Sequence, residues 1–360
     1  MEKRSPTPFA RTPAGSRSGG PSPRVLGNDQ AMSDVTWSAG RRLRELWICV
    51  SPKAGSGGGR QRPAELSRLA SAAGVRTSVT ESVPEFRSRM AQWSREKMQW
   101  SRETMAGGDP GASDPRADDG IVVVAAGGDG TLSLIASHTP PHVPIVPMPL
   151  GTENLLARHF RFPSEAAGVW ATVCQGTDAQ IDAGVANGRM FLLMASAGFD
   201  AEVVRAVHLR RRGHIGHWSY VGPILRAMRK YRFPQIEIRW RDESSADCGM
   251  IHACWAMAFN LPCYGFGLNI ESEAVPDDGR LDLITFRDGS VPTGMRYAWD
   301  VYRGRHLWRD DVVRRRAFRI ELSSPGRVPY QLDGDYSGHL PVTLGCLPGR
   351  VRLRLPPGPQ

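Results

Sequence analysis

Apolar positions in this chain fall into short runs punctuated by glycine and proline, and the pattern changes character near residue 176. Before that point, Glu45–Val50 is a short apolar run and residues 121–126 are wholly apolar, the pattern of a central strand buried on both faces. Further short strands are predicted over residues 75–80 and 144–149. Helices are predicted over 63–73, 132–137 and Leu155–His159. This β-loop-α-β order predicts a parallel α/β sheet. Beyond Gly176 the apolar or alternating runs sit at 190–196, 235–240, 252–260, 281–286, 317–322 and 351–355, most of them separated by turn residues. They predict a second domain built largely of antiparallel strands. One basic helix, near 220–230, interrupts them. The expected division is a tail at 1–40, an α/β domain at 41–176 joined by a C-terminal strand at 346–356, and a β-rich domain at 177–345.

Residues 92–98 repeat almost unchanged at 99–105. A seven-residue spacing sets Trp93 over Trp100 and Met98 over Met105 on one helix. The favoured reading is a surface helix lengthened by local duplication, ahead of a partner-binding helix. Residues 107–120 read as a polar loop.

Composition adds partners and exclusions. With 360 residues and 41% hydrophobic content there is enough apolar matter for two cores. A formal net charge of +10 points to negatively charged partners such as phosphate headgroups, nucleotides or nucleic acid. Part of the excess lies in the first forty residues, rich in Ser, Pro, Gly and Arg, which predict a disordered tail. That tail lacks the apolar core of a secretory signal peptide. No run reaches bilayer length, residues 190–198 being about half of one. The six cysteines show no CxxC pair, which fits a reduced cytoplasmic chain. The nine histidines show no HExxH and no metal spacing.

The candidate chemistry is phosphate handling. The strand at 121–126 runs into Gly127-Gly128-Asp129-Gly130-Thr131 and then into a helix. Strand, glycine turn and helix together aim backbone N–H groups and a helix N-terminus at an anion. A carboxylate among those glycines would repel phosphate unless a divalent cation intervened, which makes Asp129 a candidate ligand for nucleotide-bound Mg²⁺. The plainer alternative is an N-capping aspartate in an ordinary turn. There is no GxxxxGK[ST] and no intact GxGxxG. Two further strand exits, at 55–59 and at Thr152–Asn154, strengthen the nucleotide reading, because in open α/β sheets such loops gather where ligands bind.

These residues resemble a known family. Gly127-Gly128-Asp129-Gly130-Thr131 followed by Pro149-Leu150-Gly151-Thr152-Glu153-Asn154 looks like the catalytic domain of diacylglycerol kinases and bacterial lipid kinases. The glycine motif alone is shared with NAD kinases and, more loosely, phosphofructokinases; the second motif, ending Leu155-Leu156-Ala157-Arg158, is the lipid-kinase form. Ser51-Pro52-Lys53-Ala54-Gly55, Ala197-Gly198-Phe199-Asp200-Ala201-Glu202, Pro276-Asp277-Asp278-Gly279-Arg280-Leu281-Asp282 and Leu332-Asp333-Gly334-Asp335 extend the likeness in order along the chain. The resemblance implies an NAD-kinase-like α/β nucleotide domain packed on a C-terminal β-sandwich, with the active site in the cleft. Carried over by position, it implies that Ser51, Thr80, Gly127, Gly128, Asp129, Gly130, Thr131, Thr152 and Asn154 meet ATP. Asp278, with backbone oxygens near Val275 and Arg280, would hold a structural Mg²⁺. Asp335 would be the general base on a lipid hydroxyl, with Asp200 and Glu202 as supporting residues. Phosphoryl transfer needs positioning, charge neutralisation and a carboxylate near the attacking oxygen, and this set supplies them.

Three departures stand out. The family's Asn before Pro in the first loop is Ser51, its Asn-Glu pair after GGDGT is Ser133-Leu134, and its Glu after DG is Asp335. An aspartate can still take a proton, so a lipid kinase acting on a diacylglycerol-like lipid or a sphingoid base is the leading expectation. NAD kinase is the second reading and a catalytically weak lipid- or nucleotide-binding module the third. Asp333 reads as a turn former.

Two basic clusters with interleaved aromatics lie in the second half. The first contains Arg205, Arg210, Arg211, Arg212, Arg226, Arg229, Lys230 and Arg232; the second contains Arg303, Arg305, Arg309, Arg314, Arg315, Arg316 and Arg319 with Tyr302 and Trp308. They suit an anionic membrane surface rather than nucleic acid. The expected protein is therefore cytoplasmic and peripherally membrane-associated, and a homodimer is among the assemblies it allows.

Overall fold

The computed structural model describes residues 43–52, 57–107, 120–208, 231–242, 248–265, 268 and 270–358. The 1–40 tail, Lys53-Ala54-Gly55, most of the polar loop, the basic helix at 220–230 and most of the first basic cluster lie outside these residues.

Four parallel strands open the fold: β1 (Glu45–Val50), β2 (Arg76–Thr80), β3 (Ile121–Gly127) and β4 (Ile145–Pro149), in the order β2-β1-β3-β4. All seven residues of β3 are buried, as a central strand covered on both faces requires. Its cover comes from helices α1 (Arg62–Ala72), α2 (Val83–Gly107), α3 (Asp129–His138), α4 (Leu155–His159) and α5 (Ala166–Gln175), which contribute to one core with the strands. The start of α2 is set by local chemistry. Ser82 Oγ accepts the Glu85 N–H, while the Glu85 carboxylate accepts the Thr80 hydroxyl at 2.7 Å. This is a capping box in which the glutamate closes on a neighbouring threonine. The first of the repeated tryptophans, Trp93, is half-buried and stacks on His142 with centroids 5.8 Å apart. The side chains of Trp100 and Met105 lie outside the described residues.

The second half comprises β5 (Thr177–Ala186), β6 (Arg189–Phe191), β7 (Met194–Ala197), α6 (Phe199–His208), β8 (Ile236–Arg241), β9 (Cys248–Ala253), β10 (Trp255–Phe259), β11 (Leu281–Phe286), α7 (Val291–Tyr302), β12 (Val312–Ala317), β13 (Arg319–Ser323), β14 (Pro329–Leu332), β15 (Asp335–His339) and β16 (Val342–Leu355). The fourteen-residue β16 joins the two halves. Its C-terminal end meets β4 in parallel at Leu353, its N-terminal end pairs antiparallel with β13, and β5 runs along most of its length. The parallel sheet thus continues into an antiparallel one, β4-β16-β13-β8-β9. A separate antiparallel sheet, β12-β11-β10-β7-β14-β15, faces it. Ile236, Ile238, Ile320 and Leu344 from the first sheet share one core with Ala195, Ala258, Leu283 and Leu332 from the second, which makes this half a β-sandwich.

Three apolar runs that the sequence presents as single strands are broken in the same way. Residues 190–196 divide into β6 and β7, 252–260 into β9 and β10, and 317–322 into β12 and β13. In each case the chain leaves one sheet and enters the other, so both parts face the shared core and the run stays apolar across the corner. The sequence carried no clear signal for α5, β5, α6, α7 or the β14–β15 hairpin. Among the described residues no helix is long and apolar enough to cross a membrane.

Candidate active site

Two backbone turns meet at the carboxyl ends of β3 and β4. Gly127 carries its glycine because a Cβ there would lie 2.5 Å from Thr131 Oγ1. Gly151 carries its own because a Cβ would lie 2.6 Å from the Cα of Gly128. The two motifs are therefore packed backbone to backbone, closer than any side chain permits. Leu150 N–H donates to Gly127 O at 2.9 Å and ties the same two turns. Asn154, in the left-handed region at φ 49°, grips Gly151 with its amide: Oδ1 accepts the Gly151 N–H at 2.9 Å and Nδ2 donates to Gly151 O at 2.8 Å. Thr152 is exposed at the tip of this turn.

Asp129 holds the two turns from the other side. Its carboxylate accepts N–H groups from Leu155 at 2.9 Å and Leu156 at 3.1 Å. It caps α4, the helix of the second motif, rather than α3, which it begins. Burial raises its pKa and those amide hydrogen bonds oppose the rise. The N-terminus of α3 has Gly128 at its cap position and no side-chain cap hydrogen bond. Its positive dipole end is left to the space above the glycines. Ser51 N–H donates to Ala126 O at 2.9 Å beside the same strand ends. Thr80, at the end of β2, is buried and commits its hydroxyl to Glu85.

The acidic β14–β15 turn reaches this loop from the sandwich. Asp333 (φ 49°) and Gly334 (φ 83°) form a two-residue turn with both central φ values positive, closing the Leu332–Asp335 pair. This is the hairpin geometry that Asp-Gly favours. The turn is locked from within: the Gly334 N–H donates to Gln331 Oε1 at 2.7 Å. Asp333 does more than turn the chain. Its carboxylate accepts the N–H groups of Leu192, Leu193 and Met194 at 2.8, 2.8 and 3.1 Å, and the Ser133 hydroxyl at 2.5 Å. Ser133 belongs to α3, so one buried carboxylate ties the glycine-loop helix, the β6–β7 crossing and the hairpin together. Burial raises the Asp333 pKa, partly offset by the Ser133 and backbone donors. The next carboxylate, Asp335, points at the glycine loop: a Cβ added to Gly130 would lie 3.2 Å from Asp335 Oδ2.

The other expected residues lie in two further places. Asp200 and Glu202 sit in the first turn of α6. Glu202 is taken up by a bidentate pair with Arg205 at 2.6 and 2.8 Å. Asp200 accepts the Ser196 hydroxyl at 2.6 Å through Oδ2, while its buried Oδ1 has no hydrogen-bond partner. Burial pushes its pKa up to about 6. Asp278 accepts the Arg280 N–H at 3.0 Å, and its buried Oδ2 has no hydrogen-bond partner and lies 3.4 Å from Arg316 Nη2. That oxygen is of the type a hard cation takes, and in this structure its charged neighbour is the Arg316 guanidinium. Among the described residues no group of three His, Cys, Asp or Glu side chains is arranged for a metal.

Sequence reasoning missed Asp182. It is buried in β5 and accepts the Gly279 N–H at 2.6 Å and the Gly349 N–H at 2.7 Å, fixing the Asp278 loop against β16. Its place in a ten-residue strand, Thr177–Ala186, gave no local sign of that role. The second basic cluster divides. Arg309 pairs with Asp300 and Asp311, Arg314 with Glu271, Glu273 and Asp282, and Arg316 with Asp278 and Asp282. A pocket of about 440 Å³ between Leu268, Ile270, Val301 and Leu307 is lined by none of the motif residues.

Two family models match the chain one after the other. Residues 45–186 match the family model "Diacylglycerol kinase catalytic domain", and residues 193–355 match "YegS C-terminal NAD kinase beta sandwich-like domain". A diacylglycerol kinase of Staphylococcus carnosus is 25% identical over 260 residues, covering 70% of this chain and 83% of that protein. A diacylglycerol kinase of Bacillus subtilis is 25% identical over 239 residues, covering 65% of this chain and 78% of that one. Among solved structures, a diacylglycerol kinase from Bacillus anthracis superposes with a TM-score of 0.55 at 20% identity, over 88% of this chain and 97% of the other, a likeness of fold. Both family domains are present in order, and the chain belongs to the diacylglycerol kinase-like lipid kinase family.

Proposed function

We propose that the protein transfers the γ-phosphoryl group of ATP to a hydroxyl on a lipid, a diacylglycerol-like glycerolipid or a sphingoid base. The observation that carries this reading is the approach of Asp335 to Gly130, which sets a carboxylate beside the phosphate-cradling turn with a glycine's width between them. In the proposed reaction the uncapped N-terminus of α3 and the turn amides receive the nucleotide phosphates. The lipid oxygen forms a bond to the γ-phosphorus as the bond to the β-phosphate oxygen breaks. The hydroxyl proton passes to Asp335, and ADP leaves. Asp333, through Ser133, holds the hairpin and α3 at one separation, so the base and the cradle are fixed relative to each other. Magnesium bound with the nucleotide supplies charge neutralisation; Asp129 would meet it through water, its two oxygens already holding amides. Asp278, with the carbonyls of Val275 and Arg280, would hold a structural ion.

The departures from the family pattern support a second reading, a weakly catalytic binding module. Ser133 has its hydroxyl committed to Asp333, and Leu134 stands exposed where the family has a carboxylate. The test is transfer of labelled γ-phosphate from ATP and Mg²⁺ to diacylglycerol, sphingosine or NAD. Label in either lipid supports the kinase reading and names its acceptor, and label in NAD overturns it. Retention of ATP without transfer to any acceptor would favour the module.

A further inference from the structure

Helix α7 presents an apolar face to both sides. Its inner side is fixed: Tyr297 and Val301 are buried, the Tyr297 hydroxyl donates to Asp311 at 3.0 Å, and Ser290 caps the first turn by accepting the Thr293 N–H. The outer side should be polar in a surface helix. Instead Met295, Trp299 and Tyr302 are 61%, 58% and 74% exposed. Their i, i+4, i+7 spacing sets them in one stripe. Trp308, in the turn after the helix, is 79% exposed as well. Trp299 and Tyr302 stack at 5.9 Å, and Arg303 lies over the Trp299 ring at 5.7 Å, so the face is preorganised.

The charge around the stripe decides its occupant. Asp300 and Asp311 are neutralised by Arg309. Arg296, Arg303 and Arg305 are exposed and enter no ion pair among the described residues, against two exposed acids, Asp288 and Asp310. A rim of unpaired arginines round tryptophan, tyrosine and methionine matches the layer where anionic headgroups meet acyl chains. A second copy of the chain would bring the same arginines against themselves, and like charges facing each other oppose that pairing.

We propose that the outer face of α7 and the turn after it dock on an anionic bilayer, with Met295, Trp299, Tyr302 and Trp308 entering the headgroup layer. The proposal rests on the lipid-kinase reading for its purpose, since a membrane-borne acceptor must be met at the surface. Its test requires no catalysis. Full-length protein is sedimented with vesicles of phosphatidylglycerol and phosphatidylcholine, or of phosphatidylcholine alone, at low and at raised salt. Wild type should bind the anionic vesicles and release them as salt screens the charges. The variant with Trp299→Ala, Tyr302→Ala and Trp308→Ala should bind at least tenfold more weakly while keeping the wild-type melting temperature. The variant with Arg296→Gln, Arg303→Gln and Arg305→Gln should lose the preference for anionic lipid. Wild-type-like binding by both variants would overturn the proposal, as would failure of wild type to bind. So would a wild-type dimer in sedimentation velocity that the aromatic variant dissociates. If vesicles bind but no lipid receives phosphate, the docking face stands and the kinase reading falls.

Discussion

Replacing Ser133 by alanine removes one hydroxyl and tests whether the glycine-loop helix and the base-bearing hairpin are coupled. The bond is short at 2.5 Å, within the range of charge-assisted O–H···O⁻ contacts, and Ser133 is buried. Mutational series put a hydrogen bond to a charged group at about 1.5–3 kcal/mol. Asp333 keeps its three backbone donors in the variant, so no charge is stranded. The lower end therefore applies, and Ser133→Ala should lose about 1.5–2 kcal/mol in urea unfolding. Asp333→Asn should cost about 1–3 kcal/mol, because Nδ2 can still donate to Ser133 while one backbone N–H loses its acceptor. If the pair acts as the latch described, the double variant should show a coupling energy of about 1 kcal/mol or more. In kinase assays Ser133→Ala should lower kcat more than it raises the KM for ATP, since the damage lies in the spacing of base and cradle. Additivity within about 0.5 kcal/mol, with kcat unchanged, would refute the latch.

Gly151→Ala should force the two turns apart, since its Cβ would stand 2.6 Å from Gly128 Cα. ATP affinity by calorimetry should fall at least about tenfold, and a folded variant with wild-type affinity would refute the back-to-back packing as the basis of the cradle. Burial holds Asp200 at about 6 in the folded chain against 3.8 for the ordinary side chain. The folded state thus binds this proton more tightly than the unfolded state. The group costs nothing below about pH 4, and above about pH 6 its ionised form subtracts on the order of 3 kcal/mol. The stability of wild type relative to Asp200→Asn should therefore fall between about pH 4 and 7, and a pH-independent difference in unfolding midpoint would contradict the burial argument.

Legibility in the sequence followed locality. The strands at Glu45–Val50 and Leu281–Phe286 and the helix at Leu155–His159 have the expected bounds, because continuous apolar runs and abrupt turn residues mark them. Runs that cross between the sandwich sheets were not separable, because residues on either side of Cys254 and Phe318 face the same core. The glycine turns were legible as motifs, but their reason was not. Gly151 is small because Gly128, twenty-three positions earlier, lies against it, a contact with no trace in local pattern. Asp333 was legible as a turn former and illegible as a latch, since its partners Ser133 and residues 192–194 are separated from it by more than a hundred positions. Asp182 was silent for the same reason. The exposed stripe on α7 shows only once Tyr297 and Val301 are known to be its buried side.

The central claim is that Asp335 accepts the lipid hydroxyl's proton beside the Gly127–Thr131 turn. The most direct test compares wild type with Asp335→Asn, an isosteric change, measuring ATP binding and transfer of labelled phosphate to diacylglycerol on the same preparations. The account predicts ATP affinity within about threefold of wild type and a turnover lowered by about 10²-fold or more, the range removed with a general base. Turnover within a few-fold of wild type would contradict it.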